Sequence, residues 1–294
     1  MTTNRFAALL ADRAPVFDGG YGWLLQERGL PAGDAPELWN LENPEAIGAL
    51  QEEYAQAGAS VLTTNSFGGS VPRLEMSGLA DRAHEVNRAA AAIAREVADR
   101  HGILVAGCLG PTGELFEPMG TLTHEDAVEL FSVQLRGLLD GGIDLVLIET
   151  MSDLAEAKAA IDAARRVAPD LPIVATMSFD TNLRTMMGVT PAVAAPALAE
   201  AGADVVGANC GRGPEEMTVI AEQLLSTRPD GVLVLTQSNA GLPQLEGAEF
   251  VYTVGPQELG AHARSLRDAG VDLVGACCGS SPEHVAAIRA AVLA

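Results

Sequence analysis

Residues Ala201–Val206 read "AGADVV", and the phrase returns three times, as "AGASVL" at 57–62, "GGIDLV" at 141–146 and "AGVDLV" at 269–274. Each copy supplies a glycine suited to ending a helix and then runs into aliphatic and β-branched residues that read as a strand. Four further apolar runs alternate with these. The expected strands are therefore Pro15–Asp18, Ala59–Asn65, Ile103–Leu109, Asp144–Glu149, Pro172–Met177, Asp204–Asn209, Val232–Gln237 and Asp272–Ala276. Several, such as "DLVLIE" at 144–149 and "GVLVLT" at 231–236, are nearly continuously apolar, as strands buried on both faces of a parallel sheet are.

Longer Ala-, Leu- and Glu-rich segments of helical period fill the gaps. Asn43-Pro44, Thr190-Pro191, Gly213-Pro214 and Ser281-Pro282 each offer an N-cap residue and then proline at the first helical position, and Thr123 with Asp126 reads as a capping-box start. Because the repeated phrase marks every second βα unit, the expected fold is one (β/α)8 TIM barrel spanning residues 1–294, assembled from four βαβα quarters. An open doubly wound sheet also carries eight strands, but no G-x-G-x-x-G turn follows the first strand here.

The net charge of −21 argues against nucleic acid and anionic membrane surfaces as partners. No basic segment leads into a long apolar stretch at the start, and no run approaches the ~18 apolar residues of a membrane span. The expectation is a cytoplasmic protein, in which cysteines stay reduced and signify metal or catalysis more often than disulfides. The single lysine, Lys158, lies in a helical pattern, which speaks against Schiff-base chemistry. The five histidines show no H-x-H or H-E-x-x-H spacing.

In such a barrel the chemistry collects at the C-terminal ends of the strands. There stand Asp18-Gly19-Gly20, "TTNSF" (63–67), "GCLGPTGE" (107–114), Glu149-Thr150, Asn209-Cys210-Gly211, "SNAGLP" (238–243) and Cys277-Cys278-Gly279. Three of the four cysteines share this rim. The pair 277–278 could be a strained vicinal disulfide, two small buried residues, or part of a metal site. Consecutive strand residues face opposite ways, so convergence on one ion requires the strand to end there, and Gly279 permits the turn. Three thiolates with one open position suit a catalytic zinc ion, because soft sulfur ligands favour zinc over magnesium, calcium or manganese. Cys108 reads as a small core residue. Asp18 and Glu149 have a plainer alternative, capping a helix or pairing with an arginine.

"FDGGYG", "TTNSF", "GPTGE", "IETMSD", "GANCGRGPEEM", "NAGLP" and "GACCGSSPEH" resemble, in order and along nearly the whole chain, the homocysteine S-methyltransferases. The resemblance implies a zinc ion held by Cys210, Cys277 and Cys278, with the sulfur of homocysteine as its fourth ligand and methionine as the product. It implies that Glu149 holds the substrate amino group and that the backbone around Asp18, Gly19 and Gly20 holds its carboxylate. On the same resemblance Thr64, Asn65 and Asn209 are expected in the substrate pocket. Asn239 matches a position that approaches the metal in some members when substrate is absent.

The methyl donor is left open. A quaternary ammonium donor calls for an aromatic cage, to which Tyr21, Trp23, Trp39 and Phe67 could contribute. Betaine-using relatives, however, carry a tyrosine where this chain has Gly68. Donors that need no such tyrosine are a sulfonium compound such as S-methylmethionine, or a methyl group brought by a separate corrinoid protein. Two rival readings stand beside methyl transfer to homocysteine: a corrinoid-linked demethylase, and a non-catalytic zinc- or thiol-binding barrel.

Overall fold

Along each strand of the main sheet, alternate residues enter two separate hydrophobic layers. The computed structural model describes residues 2–11, 15–246 and 249–294. The chain runs through α1 (Thr2–Ala11), α2 (Gly22–Glu27), α3 (Trp39–Glu42), α4 (Pro44–Gln56), β1 (Val61–Thr63), α5 (Val71–Glu75), α6 (Ala83–His101), β2 (Leu104–Leu109), α7 (His124–Gly141), β3 (Leu145–Met151) and α8 (Leu154–Val167). It continues through β4 (Ile173–Met177), α9 (Pro191–Ala201), β5 (Val205–Cys210), α10 (Pro214–Thr227), β6 (Leu233–Ser238), β7 (Pro243–Glu246), β8 (Glu249–Tyr252), α11 (Pro256–Asp268), β9 (Leu273–Ala276) and α12 (Pro282–Leu293).

Seven parallel strands form one curled sheet in the order β1-β2-β3-β4-β5-β6-β9. Leu62, Val105, Val146, Ile148, Ile173, Val206 and Val274 point outward into the layer shared with the helices. Their neighbours Val61, Leu104, Leu145, Leu147, Val174, Val205, Leu235 and Leu273 point inward and form a second layer, joined by Phe6 and Leu9 of α1. Both faces are dry, which is why the strands read as unbroken apolar runs. Burying each such Leu or Val contributes roughly 1.5–3 kcal/mol.

The expected first strand is shorter than the sequence indicated. Only Val16 and Phe17 make parallel bridges, Val16 to Val274 and Phe17 to Val61, so these two residues lie between the sheet's two edge strands. Phe17 N–H donates to Val274 O at 2.9 Å, and Ser60 N–H donates to Val16 O at 2.7 Å. The antiparallel pair β7–β8, between β6 and α11, has no counterpart among the expected strands. β7 opens at Pro243, the last residue of "NAGLP", and proline with the polar Gln244, Glu246 and Glu249 in two such short strands masks strand character.

The helix starts follow the proline signals: Pro44, Pro191, Pro214 and Pro282 each open a helix. Side-chain capping is more selective. Thr123 accepts from Asp126 N–H, and Ser281 forms a capping box with His284, whereas Asn43 and Thr190 make no side-chain cap bond. Among the described residues no helix is long and apolar enough to cross a membrane.

Candidate metal and substrate site

The inward-facing set changes character at the C-terminal end of the sheet. Continuing the period of two from the apolar inner layer leads to Thr63, Cys108, Glu149, Thr176, Asn209, Gln237 and Cys277, one on each of the seven strands or just beyond it. The same alternation that builds an apolar floor thus raises a row of polar residues along the C-terminal end of the sheet.

Strand β9 ends at Ala276, and Gly279 takes a left-handed conformation (φ +75°), so Cys277 and Cys278 lie in a turn rather than on a pleat. Cys277 N–H donates to Ser238 O at 3.0 Å. Cys278 N–H donates to Asn239 Oδ1 at 3.0 Å, and Asn239 Nδ2 donates to Gly211 O at 2.7 Å. Asn239 therefore clips the Cys277–Cys278 turn to the end of β5. Cys210, the last residue of β5, is itself left-handed (φ +60°), a conformation that costs a non-glycine residue about 1–3 kcal/mol and persists only where its surroundings hold it.

The Sγ atoms of Cys210 and Cys277 lie 3.0 Å apart, those of Cys210 and Cys278 3.8 Å, and those of Cys277 and Cys278 4.0 Å. All four cysteines are free thiols. Zinc–sulfur bonds of about 2.3 Å in a tetrahedron place sulfurs about 3.8 Å apart, so two of the three edges already suit that ion. Without a cation the cluster resists losing all its protons. S–H bonds from the other two sulfurs pull Cys278 well below the ordinary thiol range, while Cys277 is pushed well up by its bonds to Cys210 and Cys278 and by burial.

The three sulfurs open onto a cavity of about 590 Å³, also walled by Gly19, Gly20, Thr64, Asn65, Cys108, Glu149, Thr150 and Gln237. That is the size of an ordinary small-molecule site. Cys108 donates its S–H to Glu149 Oε1 at 2.9 Å. Burial pushes the Glu149 carboxyl up to about 7; the Cys108 bond opposes this, and the charges of Asp18 and Cys278 add to it.

Asp18 sits behind the cavity wall. Its carboxylate accepts from Thr63 N–H at 2.7 Å, from the Thr63 hydroxyl at 2.7 Å and from the Tyr21 hydroxyl at 2.8 Å, and burial raises it to about 6. Gly19 and Gly20 face the cavity through their backbone. A Cβ on Gly19 would come within 2.5 Å of Ser280 Oγ, and one on Gly20 within 2.9 Å of Cys277 O.

Of the other sequence-derived site residues, Thr64 places its hydroxyl between Ser66 Oγ and Cys108 N–H, at 2.6 and 2.9 Å. Asn65 donates to Pro36 O and to Asn40 Oδ1. The side chains of Asn209 and Asn239 brace the cysteine-bearing turns and do not wall the cavity. The sequence reading assigns Cys108 to the core, names Thr150 at the rim without a role, and gives Gln237 no part in the site. Counting by two from the inner apolar residues finds Cys108 and Gln237; Thr150 escapes, because the register slips between Ile148 and Met151.

The sequence profile of the homocysteine S-methyltransferases matches residues 15–292. The chain belongs to that family. It is 32% identical over 299 residues to the methionine synthase of Mycobacterium leprae, and 32% identical over 300 residues to that of Mycobacterium tuberculosis. These alignments cover 96% and 97% of this chain but 24% and 25% of the relatives, so the chain spans about a quarter of their length. In fold it is similar to the homocysteine methyltransferase MmuM from Escherichia coli in its metallated form, with a TM-score of 0.80 at 22% identity over 97% of this chain and 98% of that one. The oxidised form of that protein gives a TM-score of 0.79 at 20% identity, covering 99% of both chains. As a homocysteine S-methyltransferase family member the protein is an enzyme, and its three rim cysteines form a group able to hold a metal ion.

Proposed function

We propose that this protein is a zinc-dependent S-methyltransferase that moves a methyl group to the thiolate of homocysteine, giving methionine. The observation that carries the reading is the convergence of Cys210, Cys277 and Cys278 within 4.0 Å of one another at a cavity shared with Glu149 and the Gly19–Gly20 backbone. The single (β/α)8 barrel goes with it. It is supported by the bridges from Val16 to Val274 and from Phe17 to Val61, which tie this segment to both edge strands of the seven-stranded sheet.

A zinc ion on three thiolates would ionise a fourth sulfur, that of the substrate, whose thiol at a pKa of about 8.5 is otherwise only a few per cent thiolate at neutral pH. The chain's own residues do the rest. Ionised Glu149 would hold the α-ammonium, and Cys108 fixes its carboxylate from below. The backbone at Gly19 and Gly20 would receive the α-carboxylate. With both ends of the amino acid fixed, the sulfur meets the donor methyl in line, and such alignment supplies on the order of 7–11 kcal/mol. The new carbon–sulfur bond forms as the donor's bond to that carbon breaks, and the donor departs with the electron pair. No general base is needed at that step.

A storage or purely structural metal site would need no carboxylate in the same cavity, so Glu149 favours the catalytic reading. The donor is a sulfonium compound, betaine, or a methyl group carried by a separate corrinoid protein. The decisive experiment incubates the zinc-loaded protein with homocysteine and each donor in turn and measures methionine. Methionine formation with one donor class establishes both reaction and donor; none with any donor, despite bound zinc and homocysteine, overturns the reading.

A further inference from the structure

Asn209 is buried (1% exposed) on β5, and its side-chain amide joins the end of β3 to two of the metal-site sulfurs. Its Oδ1 accepts from Thr150 N–H at 2.8 Å and from the Thr176 hydroxyl at 2.7 Å. The first bond fixes the amide's orientation, because a backbone N–H only donates and must meet the oxygen. Nδ2 therefore faces the other way. It donates to Thr150 Oγ1 at 2.6 Å and stands 3.8 Å from both Cys210 Sγ and Cys277 Sγ. An amide nitrogen carries two hydrogens, and only one is taken by Thr150.

The residues on either side of this amide are the two strained strand ends of the site. Thr150, next to Glu149, and Cys210, next to Asn209, both have φ of +60°. One side chain thus spans the strand that carries the carboxylate and the strand that carries the metal ligand.

We infer that Asn209 is the positioning residue of the metal centre. Its second N–H donates to the thiolates of Cys210 and Cys277, and its other contacts lock the end of β3 at a fixed distance from them. This rests on the reading that the three cysteines hold a metal. A thiolate is a stronger acceptor than the thiol it replaces, so the 3.8 Å contacts are poised to become charge-assisted hydrogen bonds once the ion binds. Partners of this kind around a metal typically change its affinity 10–100-fold when removed.

The test uses the whole protein in two arms. In the first, zinc affinity is measured by competition with a chromophoric chelator for wild type and Asn209→Ala, with melting curves to confirm that both are folded. The dissociation constant is expected to rise about 10–100-fold in the variant. In the second, which needs no altered fold, wild-type protein with 15N-labelled asparagine is loaded with 113Cd and searched for scalar coupling between the Asn209 side-chain hydrogens and the metal. A coupling is expected, because it passes only through an N–H···S–metal path. A purely structural asparagine would lower the melting temperature alone. Unchanged zinc affinity in folded Asn209→Ala, or no coupling in the cadmium protein, overturns the inference. Failure of wild type to bind zinc or cadmium would instead remove the metal reading beneath it.

Discussion

Cys210 Sγ and Cys277 Sγ stand 3.0 Å apart although 67 positions separate them in the chain. Two strand ends and a turn are needed to bring them together. β5 delivers one, the chain beyond β9 delivers the other, and β6 lies hydrogen-bonded between the two strands. A sulfur pair this close, with Cys278 Sγ beside it, forms a group able to hold a metal ion, and a chelate of three donors would lose affinity steeply with any one of them.

Replacing Cys210, Cys277 or Cys278 singly by alanine is therefore expected to remove most bound zinc and all methyl-transfer activity. Metal content per protein chain after desalting checks this. Full retention of zinc in the triple variant would refute the assignment of these residues as ligands.

How far the sequence disclosed this site depends on the residue. The glycine-ended helices and apolar strand runs placed seven strands and their order, because each signal is local. The sequence pattern gives Val16 and Phe17 a place in a full strand, yet only two bridges form, since pairing at an edge depends on neighbours 44 and more positions away. The rim position of the three cysteines followed from topology. The clip by Asn239 and the amide of Asn209 did not, because both depend on turn geometry at Cys210, Gly211 and Gly279. Cys108 reads as core, which its burial justifies, but its thiol reaches Glu149 and so belongs to the cavity as well.

Metal-free protein exposed to peroxide is expected to form a Cys210–Cys277 disulfide. A disulfide needs about 2.05 Å between sulfurs, so this pair has about 1 Å to close, and the other two pairs nearly 2 Å. Peptide mapping after alkylation identifies the bond, and zinc-loaded protein should oxidise more slowly. A predominant Cys277–Cys278 product would contradict the geometry.

Glu149 is raised to about 7, so near neutrality it is close to half protonated in the unliganded site. Only the ionised form attracts an ammonium group. The advantage of wild type over Glu149→Gln in homocysteine affinity is therefore expected to be largest above pH 7 and to shrink as pH falls through that value. Comparing the two proteins cancels the proton released by the substrate thiol, which acts equally on both. Calorimetric titrations from pH 5.5 to 8.5 measure the ratio; a ratio constant across that range would take Glu149 out of the substrate site.

Asp18 links pH to stability. Burial raises its pKa from 3.8 to about 6, so the folded state binds a proton more tightly than the unfolded chain does. Its contribution is fully present below pH 3.8 and is lost as pH rises through about 6. A shift of about two units corresponds to roughly 3 kcal/mol at most. Asp18→Asn is expected to flatten this part of the stability curve between pH 4 and 6, as read from urea midpoints. The same pH slope in the variant would assign the effect to other groups.

Gly20 tests whether the first loop and the cysteine turn form one unit. A Cβ there would stand 2.9 Å from Cys277 O and 3.3 Å from Cys277 C, both backbone atoms that cannot swing aside. Gly20→Ala must displace the turn carrying Cys277 and Cys278, at a cost of about 1–3 kcal/mol for such overpacking. Weaker zinc binding should accompany that loss. Gly22, two residues on, has nothing within 4 Å of a built Cβ and opens α2, so Gly22→Ala should be neutral or slightly stabilising and leave the metal site untouched. Melting temperature and zinc stoichiometry measured side by side decide the matter. Equal zinc binding by the two variants would mean that the Gly19–Gly20 backbone and the metal turn move independently, and the loop would then lose its place in fixing the substrate beside the sulfurs.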